Sequence, residues 1–209
     1  MARAVIGPVT VAVTDPDPDP NPETVPVPVP DPRAVIDHFA SLHDLDTIWM
    51  DIRPGDVSRT VTVAPGMAMA TYTRGADDLA TLALAMHEAG HALFRAQLRQ
   101  RAMLGFDPPR WLDEAVAAWA VRALEDPRVI GDAMLRRLAA ARRHRREAAT
   151  ARLAAYEAAV QAGADPYEAW PAGLDPAAYP QLRDEPGVMA SYAAADRWPR
   201  RVLPRKVGP

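Results

Sequence analysis

The sequence predicts a mainly helical domain with a small antiparallel β element, an α+β arrangement. Two observations carry this. Apolar residues recur at helical spacing in most of the chain beyond residue 31, and in that part strict alternation marks Val57–Val63. Hydrophobic residues make up 49% of the 209, enough for one good core. Residues 1–30 are set apart as a Pro-rich arm, and 31–209 read as a single domain.

The arm begins with an alternating stretch, Val9–Val13, that reads as a short strand. Residues 15–32 then carry Asp-Pro and Val-Pro repeats. Proline donates no backbone hydrogen bond, so this segment is expected as extended, polyproline-like chain. It serves as a semi-rigid linker or, on a sharper reading, as a docking or pro-segment. A helix follows over Asp31–Asp44, with Asp31 as cap, Pro32 in the first position and Val35, Ile36, Phe39 and Leu42 on the apolar face. His38 and His43 are five apart, the wrong spacing for one helix face, and read as surface or second-layer residues.

Thr47–Arg53 is a strand candidate. Val57, Arg59, Val61 and Val63 alternate with Ser58, Thr60 and Thr62, and Pro65-Gly66 turns the chain back into Met67–Thr73. The hairpin leads directly into a long helix. Asp77 and Asp78 suit its N-terminus, and no proline interrupts residues 74–107.

That helix contains His87-Glu88-Ala89-Gly90-His91. Residues four apart lie on one helix face, so both histidines can aim a ring nitrogen at one metal ion. Glu88 is about 100° round the helix and can reach a water without being a ligand. Catalytic zinc sites use three protein ligands. The chain has no cysteine, so the third must be His, Asp or Glu. Glu114 follows His91 with 22 residues between them, in Trp111-Leu112-Asp113-Glu114-Ala115. The gap fits the rest of one helix, a turn at Gly105–Pro109 and the first turn of an antiparallel helix. That geometry returns Glu114 to the histidines.

HEAGHALF followed by WLDEAVAAWA resembles the gluzincin zinc metallopeptidases. The likeness is greatest to the mostly helical group of thimet oligopeptidase, oligoendopeptidase F, angiotensin-converting enzyme and carboxypeptidase Taq, here much shortened. It covers residues 56–127. It implies a gluzincin-like core, Zn2+ held by His87, His91 and Glu114, Glu88 as catalytic base, and hydrolysis of peptide bonds in short peptides. It also implies that one strand of the hairpin, by order Val57–Val63, borders the cleft and pairs with substrate backbone. A late helix in the family carries a tyrosine that can donate to a developing oxyanion, and Tyr192 is the matching residue. Two departures stand out. Some members place an Asp four residues after the ligand glutamate, where this chain has Ala118. Some use a late histidine, and here no histidine follows His144. The alternative is therefore a catalytically degenerate relative that uses the fold for binding. Family members are much longer and enclose the site. A more open cleft is expected here, or one covered by a partner or a second copy.

Beyond Glu114 the helix should end at Asp126-Pro127, with Trp111 and Trp119 as packing anchors. Arg136–Arg146 reads as a solvated basic helix face partly paired with acids. Glu147–Ala162 continues the helix to Gly163, residues 165–180 are rich in turns, and a last helix opens near Gly187. A net charge of −3 argues against a chain built to bind nucleic acid. No apolar run is long enough for a membrane span, and the N-terminus lacks a secretory apolar region. A cytoplasmic location is the default, and the Ala, Arg, Asp and Pro bias points to a GC-rich bacterial gene.

Overall fold

A computed structural model describes residues 28–45, 50–64, 67–102, 109–179, 182 and 187–197. The expected Val9–Val13 strand, the Pro65-Gly66 turn and the Gly105–Pro108 stretch lie outside these residues.

Helix α1, Pro32–Leu42, is capped by the Asp31 carboxylate, which accepts the Ala34 N–H at 3.0 Å. It buries Val35, Ile36 and Phe39, while Leu42 is exposed. His43 packs against Phe39 and Trp119, and His38 reaches the Arg128 carbonyl at 2.7 Å. Neither belongs to the group that could hold a metal ion among the described residues. Val29, just before the cap, packs against the main core, so the core begins slightly inside the segment assigned to the arm.

Three strands follow: β1 Met50–Pro54, β2 Arg59–Ala64 and β3 Met67–Tyr72. β2 and β3 form the expected antiparallel hairpin. The sheet as a whole is mixed, which corrects the expectation of an antiparallel element. β1 pairs with β3 in parallel, in the order β1-β3-β2. The reason is burial. β3 presents Ala68, Ala70 and Tyr72 to the core and β1 presents Met50 and Ile52, so β1 covers the open side of β3 rather than the side taken by β2.

Helix α2, Asp78–Ala102, starts where Asp77 accepts the Ala80 N–H at 2.9 Å. It lies under the sheet, with Leu82, Ala85, Met86, Ala89, Ala92 and Leu93 almost wholly buried. Helix α3, Arg110–Arg122, packs against α2, and its end tightens into a 3₁₀ turn at Ala123–Glu125 before Asp126-Pro127. The contacts run in reverse order, Arg95 to Asp113 and Gly90 to Ala117, so the helices are antiparallel.

Helix α4, Ala133–Gln161, is one continuous helix capped by Asp132, and the chain leaves it through Gly163 at φ +96°. A short helix α5, Pro166–Ala169, and a 3₁₀ turn at Pro176–Ala178 make up the turn-rich stretch. Helix α6, Val188–Arg197, then packs on α3 and α4. A second apolar cluster of Leu153, Val188 and Met189, with Trp170 and Tyr192 at its margin, holds α6 to α4. The arginines of α4 are partly paired, as expected, Arg142 with Asp77, Arg143 with Glu125 and Glu147, and Arg146 with Asp196, but Arg143 is buried rather than solvated.

Candidate metal centre

The site lies where the middle of α2 meets the first turn of α3. His87 and His91 are one turn apart on α2, with their Nε2 atoms 3.2 Å from each other. Glu114 comes from α3, and its Oε2 lies 3.6 Å from His87 Nε2 and 3.7 Å from His91 Nε2. Two imidazole nitrogens and a carboxylate oxygen thus form a nearly equilateral triangle. Ligands about 2.0–2.1 Å from one tetrahedral ion stand roughly 3.3–3.5 Å apart. The three residues are, among those described, the one group that could hold a metal ion.

A hydrogen-bond account of the triangle fails at one atom. Glu114 Oε2 is buried and has no hydrogen-bond partner. A buried polar atom left without a partner is costly, about 1–3 kcal/mol, and a cation between it and the two nitrogens removes that cost. The donor set therefore fits a divalent ion, and the lack of thiolates leaves zinc among several ions these ligands accept.

The electrostatics differ from one candidate ligand to the next. Burial, with the neighbouring His91 and Arg146 charges, pushes the His87 imidazole down to about 3, so it stays neutral and keeps a lone pair. Burial pushes Glu114 up to about 7, and the Asp113 and Glu88 charges add to this against His91 and Arg110. Burial alone would lower His91. The contact with Asp113 and the charges of Asp113, Glu114 and Glu88 outweigh it and raise its pKa.

Glu88, about 100° round α2 from His87, faces β2. Its Oε2 accepts the Thr60 hydroxyl at 2.7 Å, and Thr60 belongs to β2, an edge strand of the sheet. Burial raises the Glu88 pKa, partly offset by the Thr60 hydrogen bond and the His91 and Arg95 charges. Raised this way, it suits a group that both takes and gives a proton.

Ala118, where some gluzincins carry a supporting Asp, is buried among packed alanines. The carboxylate beside His91 belongs to Asp113, whose Oδ1 is 2.9 Å from His91 Nδ1. The contact is an ion-pair distance with imperfect hydrogen-bond alignment, and neither atom meets another hydrogen-bond partner. Arg95 holds the other carboxylate oxygen at 3.1 Å and donates to the Thr60 carbonyl at 2.8 Å. The sequence reading missed Asp113, Arg95 and Thr60. Its available signals were an acid beside Glu114 and a cation one turn after His91.

Tyr192 lies on α6, half-buried against the Leu153, Val188 and Met189 cluster, and α6 packs on α3. Trp119 is the anchor expected of it, packed at a tilt against Phe39, while Trp111 is 36% exposed.

The fold and the side chains thus define a helical protein with a small mixed sheet and a buried His–His–Glu group able to bind a metal ion. Comparison with protein-family models, curated proteins and solved structures finds no match.

Proposed function

We propose that the chain is a zinc metallopeptidase of gluzincin type that hydrolyses peptide bonds in short peptides. The observation that carries the reading is the triangle of His87, His91 and Glu114 with its orphaned carboxylate oxygen, set beside a buried glutamate that is not part of it. His87, His91 and Glu114 would hold a zinc ion, which when bound would supply Lewis acidity toward a water and a carbonyl. The chain's own residues do the rest. Glu88, aimed by Thr60, takes a proton from water and delivers it to the departing amine. β2 offers an edge along which an extended peptide can pair through backbone hydrogen bonds, with specificity left to side-chain pockets. Tyr192 is the proposed donor to the developing oxyanion. The substrate is a peptide, with neither nucleic acid nor membrane as partner, and the proposed location is the bacterial cytoplasm. Among the described residues no helix is long and apolar enough to cross a membrane.

Metal analysis and peptide-library cleavage test the reading together. The parent should carry about one zinc per chain and cleave a peptide in a chelator-sensitive way. Alanine at His87, His91 or Glu114 should lose metal and activity together. Glu88→Gln keeps the shape of the side chain and should keep the metal, while turnover falls by about 10²–10⁴-fold or more. Turnover of Glu88→Gln within a few-fold of the parent would overturn the assignment of the base. Metal content unchanged in all three ligand variants would overturn the site.

A further inference from the structure

Consecutive residues on a helix point about 100° apart. At the start of α3 this puts two neighbouring carboxylates on one imidazole. Glu114 faces His91 Nε2 and Asp113 faces His91 Nδ1. Asp113 uses its second oxygen on Arg95 Nη2, and Arg95 Nη1 goes to the backbone carbonyl of Thr60, the residue whose hydroxyl holds Glu88. One chain of contacts therefore runs from His91 through Asp113 and Arg95 to β2 and back to Glu88.

We propose that Asp113, clamped by Arg95, is the positioning carboxylate for His91, holding the proton on Nδ1 so that the Nε2 lone pair faces His87 and Glu114. The proposal rests on the metal-centre reading and adds to it the residue that orients a ligand. Three observations carry it. The side chain of Asp113 is only 16% exposed, and its Oδ1, which has no hydrogen-bond partner, lies at ion-pair distance, 2.9 Å, from a ring nitrogen that also has none. The position four residues after Glu114 is a buried alanine, so it cannot serve. Arg95 sits one turn after His91 on α2, where its planar fork spans Asp113 and Thr60 at once. A carboxylate on the far nitrogen of a ligand histidine fixes its tautomer and strengthens it as a donor, and removing such a partner typically weakens metal binding about 10–100-fold.

The test is zinc affinity, measured by competition with a chromophoric chelator, for the parent, Asp113→Ala, Asp113→Asn and Arg95→Met. Asp113→Ala should bind about 10–100-fold more weakly, and Arg95→Met should weaken in the same direction by a smaller factor. Long-range ¹H–¹⁵N spectra of the metal-free protein at alkaline pH, where the imidazole is neutral, supply the second readout. His91 should carry its proton on Nδ1 in the parent and shift toward the Nε2-protonated tautomer in Asp113→Ala. A purely structural role would lower the melting temperature without moving that signature. If Asp113→Ala fails to fold, Asp113→Asn, of the same shape, carries both measurements. A folded Asp113 variant with affinity within about twofold of the parent and an unchanged His91 spectrum overturns the proposal alone. A parent that binds no zinc overturns the metal-centre reading and this proposal with it.

Discussion

At Gly90 a single hydrogen decides how closely α2 and α3 approach. A methyl group built there would lie 2.6 Å from the Ala117 Cα, 3.0 Å from the Ala120 Cβ and 3.1 Å from the Val116 carbonyl. Backbone cannot yield as a flexible side chain does, so the helices must part. Glycine in a helix interior ordinarily costs about 1 kcal/mol relative to alanine, and overpacking costs about 1–3 kcal/mol. The second outweighs the first here, because the clash is with backbone. Gly90→Ala should therefore lower stability by about 1–2 kcal/mol in chemical denaturation. It should also weaken zinc binding, because parting the helices carries Glu114 away from His87 and His91. A stabilised variant would mean that the helices have room to spare.

Among the elements, α6 depends on a residue of another helix. The buried carboxylate of Glu157, on α4, accepts the Gly187 N–H at 3.0 Å and the Ala190 N–H at 3.1 Å. It satisfies two of the backbone donors that every helix start leaves open, and its charge suits the positive end of the helix dipole. Glu157→Ala should cost about 1–2 kcal/mol. In hydrogen exchange the amides of 187–197 should lose protection, while those in the middle of α2 keep theirs. Equal loss in both helices would show that α6 is not a separately anchored unit. Because α6 carries Tyr192, the same variant should reduce peptide turnover more than it reduces zinc content.

Over the whole molecule, a buried ionic network links the α2–α3 core to the α4–α6 cluster. Arg143 is 8% exposed and lies between Glu125, just beyond α3, and Glu147, one turn along α4. Arg122 of α3 shares Glu147 and also reaches the Asp196 carbonyl on α6. Their contacts hold the Glu147 carboxyl below its usual range, against a burial effect of opposite sign. Removing one partner of such a group leaves charge buried without compensation, at a cost of about 3–5 kcal/mol when burial is complete. Glu125 and Glu147 are about one-fifth exposed, so Arg143→Met should cost nearer the low end, about 2–3 kcal/mol, in urea denaturation. A change below about 0.5 kcal/mol would show that solvent screens the network. A bound metal ion would act at the same scale, because the residues that could hold it come from two helices. Zinc at about 100 times its dissociation constant should raise stability by about 2.7 kcal/mol, visible as a higher melting temperature that chelator reverses. His91→Ala should abolish most of that rise.

The sequence by itself determined the parts whose physics is local. Helical period, caps at Asp31 and Asp77, the break at Asp126-Pro127 and the one-turn spacing of His87 and His91 all follow from residues within a few positions of one another. Glu114 was legible across a longer gap because a helix, a short turn and an antiparallel helix leave few other places for it. What the tertiary structure decided was pairing at a distance. The parallel partnership of β1 with β3 depends on which apolar faces remain uncovered once α2 is in place. The choice of Asp113 over position 118 depends on the rotation of α3 against α2. Thr60 and Arg95 become neighbours only when the hairpin folds over that helix pair. Local pattern sets the face a residue presents, and only the packing of one face against another sets what it meets.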